Sequence, residues 1–414
     1  MISARSRRSV AFFCMPEVGH FQRLRSLISD LTHNGILAYV FTHRKFGPQV
    51  ERAGGVFFDL FSKYPLEQAD STSLPVPSRY VSFAATYAEQ IRRDVEQTGP
   101  SLIVHDSFAV IGPVIAKLLG IPRVNVCAGH NVAPAHFLAI LREDPRVQLS
   151  TECLRAADIL RESYGMTDAS PFSYVSSLSP HLNICCEPPE FLEESERPAF
   201  EPLAFYGSLP SLEEMQIGNQ GDRQWFGPDS AHTFKVYISF GTVIWRYYAA
   251  EALRALNTLA ETVAHLENTR AVISLGSTKI SNDALAALLQ PNVSVESNVD
   301  QWRLLQEADA FVTHHGMNST HEAIFHRVPM ISYPFFWDQP ALAERCQKFG
   351  LAIPLTHSLR AEFGKDQVHA ALRRLADERE SILAALARAR EWEIAVIARR
   401  ATVLKRIEDL IQDL

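Results

Sequence analysis

Residues 298–350 read NVDQWRLLQEADAFVTHHGMNSTHEAIFHRVPMISYPFFWDQPALAERCQKFG, from Asn298 to Gly350, and the order of elements in this stretch decides the fold. Ala310–Thr313 is an apolar run of strand length, His314, His315 and Gly316 form the turn that leaves it, and Ser319–Phe325 has the pattern of a following helix. A helix starting there aims unpaired backbone N–H groups and the positive end of its dipole at the turn, which favours a phosphate. Gly316 allows close backbone approach, His314 is able to donate to a phosphate oxygen, and Asn318 and Ser319 add short polar groups beside the helix start. Glu322 lies further along the same helix, where a carboxylate is able to accept hydrogen bonds from a ribose. A second apolar run, Met330–Tyr333, leads into Phe335-Phe336-Trp337-Asp338-Gln339, which offers an acid and an amide to sugar hydroxyls.

The same alternation continues on both sides of this block. Upstream, Lys235–Ser239, a helix around Ala249–His265, Arg270–Leu275 and Val293–Glu296 read as strand, helix, strand and strand. In the first two hundred residues Val10–Met15, Leu37–Thr42, Leu102–His105 and Val124–Val126 read as strands, with helices from about His20 to His33 and over Ser107–Leu119. Such alternation predicts parallel sheets covered by helices. Tyr64–Ser78, rich in Pro and Ser, reads as a loop, Val132–Leu178 as irregular helices over a pocket, and Ser208–Ser230, with its prolines and glycines, as an interdomain linker. The tail from Lys365 to Leu414 has no Pro or Gly beyond Lys365 and reads as helical.

Composition narrows the function classes. At 414 residues the chain exceeds one typical domain, and two domains of roughly 200 residues are the natural division. With 47% hydrophobic and 21% charged residues it is able to bury full cores, and a net charge of −7 argues against a nucleic-acid backbone as partner. The six cysteines include no CxxC pair, so neither a zinc site nor a disulfide framework is indicated and a reducing cytoplasm fits best. Arg5, Arg7 and Arg8 precede an apolar run, Val10–Met15, that is too short for a signal-peptide core, and no transmembrane segment is expected. No G-x-G-x-x-G follows a strand, which argues against a dinucleotide-dependent dehydrogenase.

The 298–350 block resembles the donor-binding signature of the family 1, UDP-glycosyltransferase-like enzymes, which carry the GT-B fold. The family pattern runs W-x-P-Q, H-x-G-x-N-S-x-x-E and P-x-x-x-D-Q; here it stands as Asn298-Val299-Asp300-Gln301, His314 to Glu322, and Pro334 to Gln339. Asn298 replaces the tryptophan that stacks on uracil in many plant members, Asp300 replaces the proline, and Trp302 offers a ring from a shifted position. The resemblance implies an α/β chain of two Rossmann-like domains whose parallel sheets face each other across a cleft. Their expected bounds are 1–210 for the acceptor-binding domain, 211–230 for the linker, 231–395 for the donor-binding domain, and 396–414 for a last helix packing back on the first domain. Donor-binding residues implied by it are Thr242 in the Ser239–Thr242 turn, Asn298, Gln301, His314, Gly316, Asn318, Ser319, Glu322, Asp338 and Gln339. Animal members often carry a C-terminal membrane anchor; this chain resembles the soluble bacterial natural-product type.

Sugar transfer to a hydroxyl needs a base for the acceptor proton and stabilisation of the leaving diphosphate. His20, in Met15-Pro16-Glu17-Val18-Gly19-His20, stands where the family places its general base, and Asp106, in His105-Asp106-Ser107, where it places the partner that orients the imidazole. The implied activity is an inverting, metal-independent hexosyl transfer without a cofactor, from a nucleotide sugar, UDP-glucose first, to a lipophilic natural product of the kind found in antibiotic biosynthesis. A TDP-deoxysugar or N-acetylglucosamine transferase of the same fold is the alternative, and a non-catalytic partner of another glycosyltransferase a further one. Phe83, Tyr87, Phe108, Phe137 and Phe172 line an acceptor pocket or belong to the core. His314, His315, His321 and His326 lack the spacing of a zinc site.

Overall fold

The computed structural model describes residues 8–67, 78–127, 129–130, 132–211, 224–227 and 233–412. The chain divides into two compact units, Met1–Ser208 with Val396–Leu414, and Leu209–Ala395. Most of the Tyr64–Ser78 loop and of the Ser208–Ser230 linker lies outside the described residues.

The first unit is built on a seven-stranded sheet: β1 (Ser9–Phe13), β2 (Leu37–Thr42), β3 (Val56–Asp59), β4 (Leu102–Asp106), β5 (Arg123–Cys127), β6 (Leu182–Cys185) and β7 (Leu203–Phe205). They pair in the order β3-β2-β1-β4-β5-β6-β7, all parallel. The second unit has six parallel strands, β8 (Phe234–Ser239), β9 (Thr269–Ser274), β10 (Val293–Glu296), β11 (Ala310–Thr313), β12 (Met330–Ser332) and β13 (Ala352–Pro354), in the order β10-β9-β8-β11-β12-β13. Every residue of β1 and β4 is buried, as expected of central parallel strands covered on both faces. That continuous apolar character is why the central strands were readable, while the short strands β3, β7 and β13 carry little signal.

Strand order reverses between β1 and β4 in the first sheet and between β8 and β11 in the second. In an open parallel sheet such a reversal leaves a crevice beyond the carboxyl ends of the strands, because the flanking loops diverge to opposite faces.

Two helix starts differ from the sequence reading. The helix expected from Ser107 begins at Ile111, because the Asp106 carboxylate accepts the Phe108 N–H at 2.8 Å and holds residues after β4 in a turn. The helix expected from Ser319 begins at Met317, with Gly316 extended at its N-cap. The tail folds as three helices, Lys365–Asp377, Arg379–Ala398 and Arg400–Gln412. Within the first unit, Arg400 Nε donates to the Tyr206 carbonyl at 2.9 Å and Asn34 Nδ2 to Glu408 at 3.2 Å. Among the described residues no helix is long and apolar enough to cross a membrane. All six cysteines are buried free thiols.

Candidate active site

In the first unit, both halves of the expected catalytic pair sit at the point where strand order reverses. β1 delivers the chain to the start of the helix Val18–His33, and His20 lies in its first turn. β4 ends on Asp106, which is 1% exposed. His20 Nδ1 lies 2.9 Å from Asp106 Oδ1. The same carboxylate accepts the backbone N–H of Met15 at 3.0 Å and of Phe108 at 2.8 Å, so it is fixed from both connecting loops. A nitrogen facing this carboxylate carries the ring proton, which leaves Nε2 as the basic nitrogen. The Phe108 ring, 4.1 Å from the imidazole between centroids, covers one side of His20.

A buried polar cluster that the sequence did not disclose braces this turn. Glu17, immediately before the helix, accepts from Tyr80 Oη at 2.6 Å and Arg79 Nη2 at 3.0 Å. Its own carbonyl accepts the Phe21 N–H at 3.1 Å, so the clamp acts on the turn that carries His20. Arg79 and Tyr80 come from the helix Arg79–Glu96, and only the adjacency of an Arg and a Tyr at its start hinted at them.

In the second unit three neighbouring strands, β9, β8 and β11, end in the same way. The hydroxyl of the last strand residue accepts the N–H two residues on: Ser274 from Gly276 at 3.4 Å, Ser239 from Gly241 at 3.3 Å, Thr313 from His315 at 3.2 Å. In each turn that second residue has positive φ, +57°, +69° and +59°. The repeat was visible as Ser239-Phe240-Gly241-Thr242 against Ser274-Leu275-Gly276-Ser277, and Gly276 is the member that motif matching passed over. His314 lies between the turns: a Cβ on Gly316 would fall 2.5 Å from its Nε2, and one on Gly241 would fall 2.8 Å from it. Burial lowers the His314 pKa to about 4, with the Ser239 backbone opposing the shift, so the ring is neutral near pH 7 and donates one N–H. Thr242 is exposed beyond the β8 turn.

The expected ribose group is held by side chains. Gln301 Nε2 donates to Glu322 at 2.7 Å, Tyr237 Oη donates to Gln301 Oε1 at 3.1 Å, and Ser319 Oγ lies within 3.3 Å of the same amide. Burial pushes the Glu322 carboxyl up to about 7 despite the Gln301 contact, although the residue as a whole keeps part of its surface open. Asn298 is exposed, Asp300 caps the helix Gln301–Glu307, and Asn318 is half-buried at the start of the Met317–His326 helix.

The structure revises several roles. Trp302 is half-buried and packs on Phe325 at 5.3 Å and on His326 at 4.2 Å. The Gln339 oxygen accepts the N–H of Phe335 at 3.0 Å, bracing the loop, so its amide nitrogen is the part left for a ligand. Asp338 is half-buried at the N-cap of the next helix, beside Trp337, whose φ is +57°. His315 is spent inside the unit, on Thr320 at 3.2 Å and Ser332 at 2.7 Å, and His321 on Glu393. Among the described residues no three His, Cys, Asp or Glu side chains converge as a metal would require. Of the aromatic residues, Phe83, Phe137 and Phe172 are buried, Tyr87 is half-buried against Phe83, and Phe108 is the one that meets His20.

Residues 259–408 match the family model of the erythromycin biosynthesis protein CIII-like C-terminal domain. The chain is 24% identical over 357 residues to the NDP-glycosyltransferase YjiC of Bacillus subtilis (strain 168), covering 84% of each chain. Its fold is shared with the kitacinnamycin glycosyltransferase (TM-score 0.73, 22% identity, 97% of this chain and 98% of that one) and with CalG4, the calicheamicin glycosyltransferase (TM-score 0.71, 20% identity, 98% of each). The chain has the two-domain α/β fold of the GT-B glycosyltransferases. In this GT-B fold the His314–Glu322 block lies at the carboxyl edge of the second sheet, and the His20–Asp106 pair at the carboxyl edge of the first.

Proposed function

We propose that this chain is a glycosyltransferase that transfers a hexose, with inversion and without a metal, from a nucleoside-diphosphate sugar to a hydroxyl of a lipophilic natural product. The observation that carries this reading is the His20–Asp106 pair, 2.9 Å apart, with the carboxylate locked by two backbone N–H groups. Nε2 takes the proton from the acceptor hydroxyl as its oxygen attacks the anomeric carbon, and Asp106 stabilises the imidazolium that forms. The bond to the β-phosphate oxygen breaks on the opposite face, and that oxygen leaves with the electron pair, so the configuration inverts in one step. The leaving diphosphate already carries charge. Backbone N–H groups at the start of the Met317–His326 helix, the His314 N–H and the Thr242 hydroxyl supply the donors it needs.

Glu322 holds the ribose, and Asp338 with the Gln339 amide nitrogen holds sugar hydroxyls. UDP-glucose is the first donor to test. Because Asn298 stands exposed where the signature has a tryptophan and Trp302 is packed against Phe325 and His326, thymidine diphosphate sugars are the second donor class. Calorimetry with UDP, TDP and their sugars, followed by acceptor screening with the tightest donor, tests the reading. Saturable nucleotide binding and product with inverted anomeric configuration are expected; binding of neither nucleotide, or a retained configuration, would overturn it.

A further inference from the structure

The histidine inside the donor signature, His321, takes no part in the chemistry above, yet it makes one of the most deeply buried polar contacts in the second unit. Its Nδ1 lies 2.5 Å from Glu393 Oε1, and both side chains are fully buried. A ring nitrogen against a carboxylate oxygen carries the proton, so this is a charge-assisted hydrogen bond between two fully buried side chains.

The contact joins two specific helix faces. On the Met317–His326 helix, Ser319 and Glu322 are three apart and meet Gln301, whereas His321 and Phe325 are four apart and lie on another face. That second face is gripped twice by the helix Arg379–Ala398: Glu393 bonds His321, and Arg390, one turn earlier, places its guanidinium 4.7 Å from the centre of the Phe325 ring. Trp302 packs on Phe325 as well, at 5.3 Å. A helix held at one polar point is still able to rotate about it; a second contact one turn away removes that freedom.

Rotation matters because Ser319 and Glu322 depend on it. A turn of the Met317–His326 helix about its axis would carry both side chains away from Gln301 and swing the first backbone N–H groups relative to His314. We propose that His321, clamped by Glu393 and backed by Arg390, is a positioning residue that sets the rotation of the donor helix and thereby the affinity for the sugar nucleotide. This inference deepens the functional reading given above and rests on it.

The test uses the full chain, with UDP and TDP as calorimetric probes, and compares E393L, E393Q and R390M with wild type. E393L is expected to weaken binding of the preferred nucleotide at least ~10-fold and to raise donor KM, with acceptor KM unchanged; E393Q, whose side-chain oxygen still accepts from Nδ1, restores affinity to within ~3-fold. R390M removes a partly exposed side chain and keeps the comparison open where E393L does not fold; it is expected to raise donor KM about 3-fold and leave acceptor KM alone. Unchanged nucleotide affinity in a folded E393L or in R390M, or equal losses for donor and acceptor, overturns the clamp. Wild-type chain that binds neither UDP nor TDP would instead overturn the functional reading, and the inference with it.

Discussion

A Cβ on Gly276 would lie 2.3 Å from the carbonyl oxygen of Gly241, so the turn after β9 touches the turn after β8 backbone to backbone. Gly276 also has φ +57°, a conformation that side chains other than glycine adopt at a cost. The contact fixes the Ser239–Thr242 turn, which in turn borders His314.

Gly276→Ala is therefore expected to displace the β8 turn, destabilise the chain by about 1–3 kcal/mol and weaken nucleotide binding. Thermal denaturation and nucleotide calorimetry check it together. Unaltered affinity at an unaltered melting temperature would show that the turns do not depend on each other.

Glu322 brings a pH dependence whose sign follows from burial. Its native pKa, about 7, lies above the ordinary carboxylate value, so the native state loses stability as pH rises from the unfolded pKa to about 7 and stays penalised above it. Ribose hydroxyls favour the ionised form, so nucleotide affinity is expected to rise with pH through about 7. Glu322→Gln should flatten both dependences, since a Gln side chain still bonds Gln301 and does not titrate. Melting curves and nucleotide Kd between pH 5.5 and 8.5 (an experimental range chosen to bracket about 7) decide it.

Trp302→Ala separates packing from base recognition. Because the ring contacts Phe325 and His326, truncation is expected to cost about 2 kcal/mol of stability while leaving the ratio of UDP to TDP affinity unchanged. A change in that ratio at constant stability would return Trp302 to the base.

Asp106→Asn keeps the size of the side chain but turns an amide N–H toward a donor it should accept from. Transfer is expected to fall ~10²-fold or more, with nucleotide affinity intact, because the imidazole loses the tautomer that exposes Nε2 as base. A fall of less than threefold, measured in steady-state transfer assays, would leave the carboxylate only a turn-capping role of about 1 kcal/mol.

Much of this was legible from the chain because strand ends in parallel sheets combine two strong signals: a buried apolar run, then a Gly or short polar residue. β8 with Ser239–Thr242 and β11 with His314–Gly316 show both, and the motif order named Gln301 and Glu322 separately, whereas their 2.7 Å contact comes only from the fold. What stayed hidden was long-range pairing. Nothing local to His321 names Glu393, and nothing local to Glu17 names Tyr80, because those partners lie on helices far along the chain. The contacts of Trp302 were hidden for the same reason: a ring near a binding motif can face either the ligand or the adjacent helix, and only the fold shows that it packs on Phe325 and His326. The helix start at Ile111 was misplaced because Asp106 spends its carboxylate on Phe108 and His20 at once.

The most direct measurement is the transfer rate of the His20→Ala variant alongside its nucleotide Kd. Loss of transfer by ~10³-fold, with Kd within twofold of wild type, is expected if His20 is the base and donor binding belongs to the second unit. Turnover close to wild type in that variant would contradict the assignment of the base and the mechanism built on it.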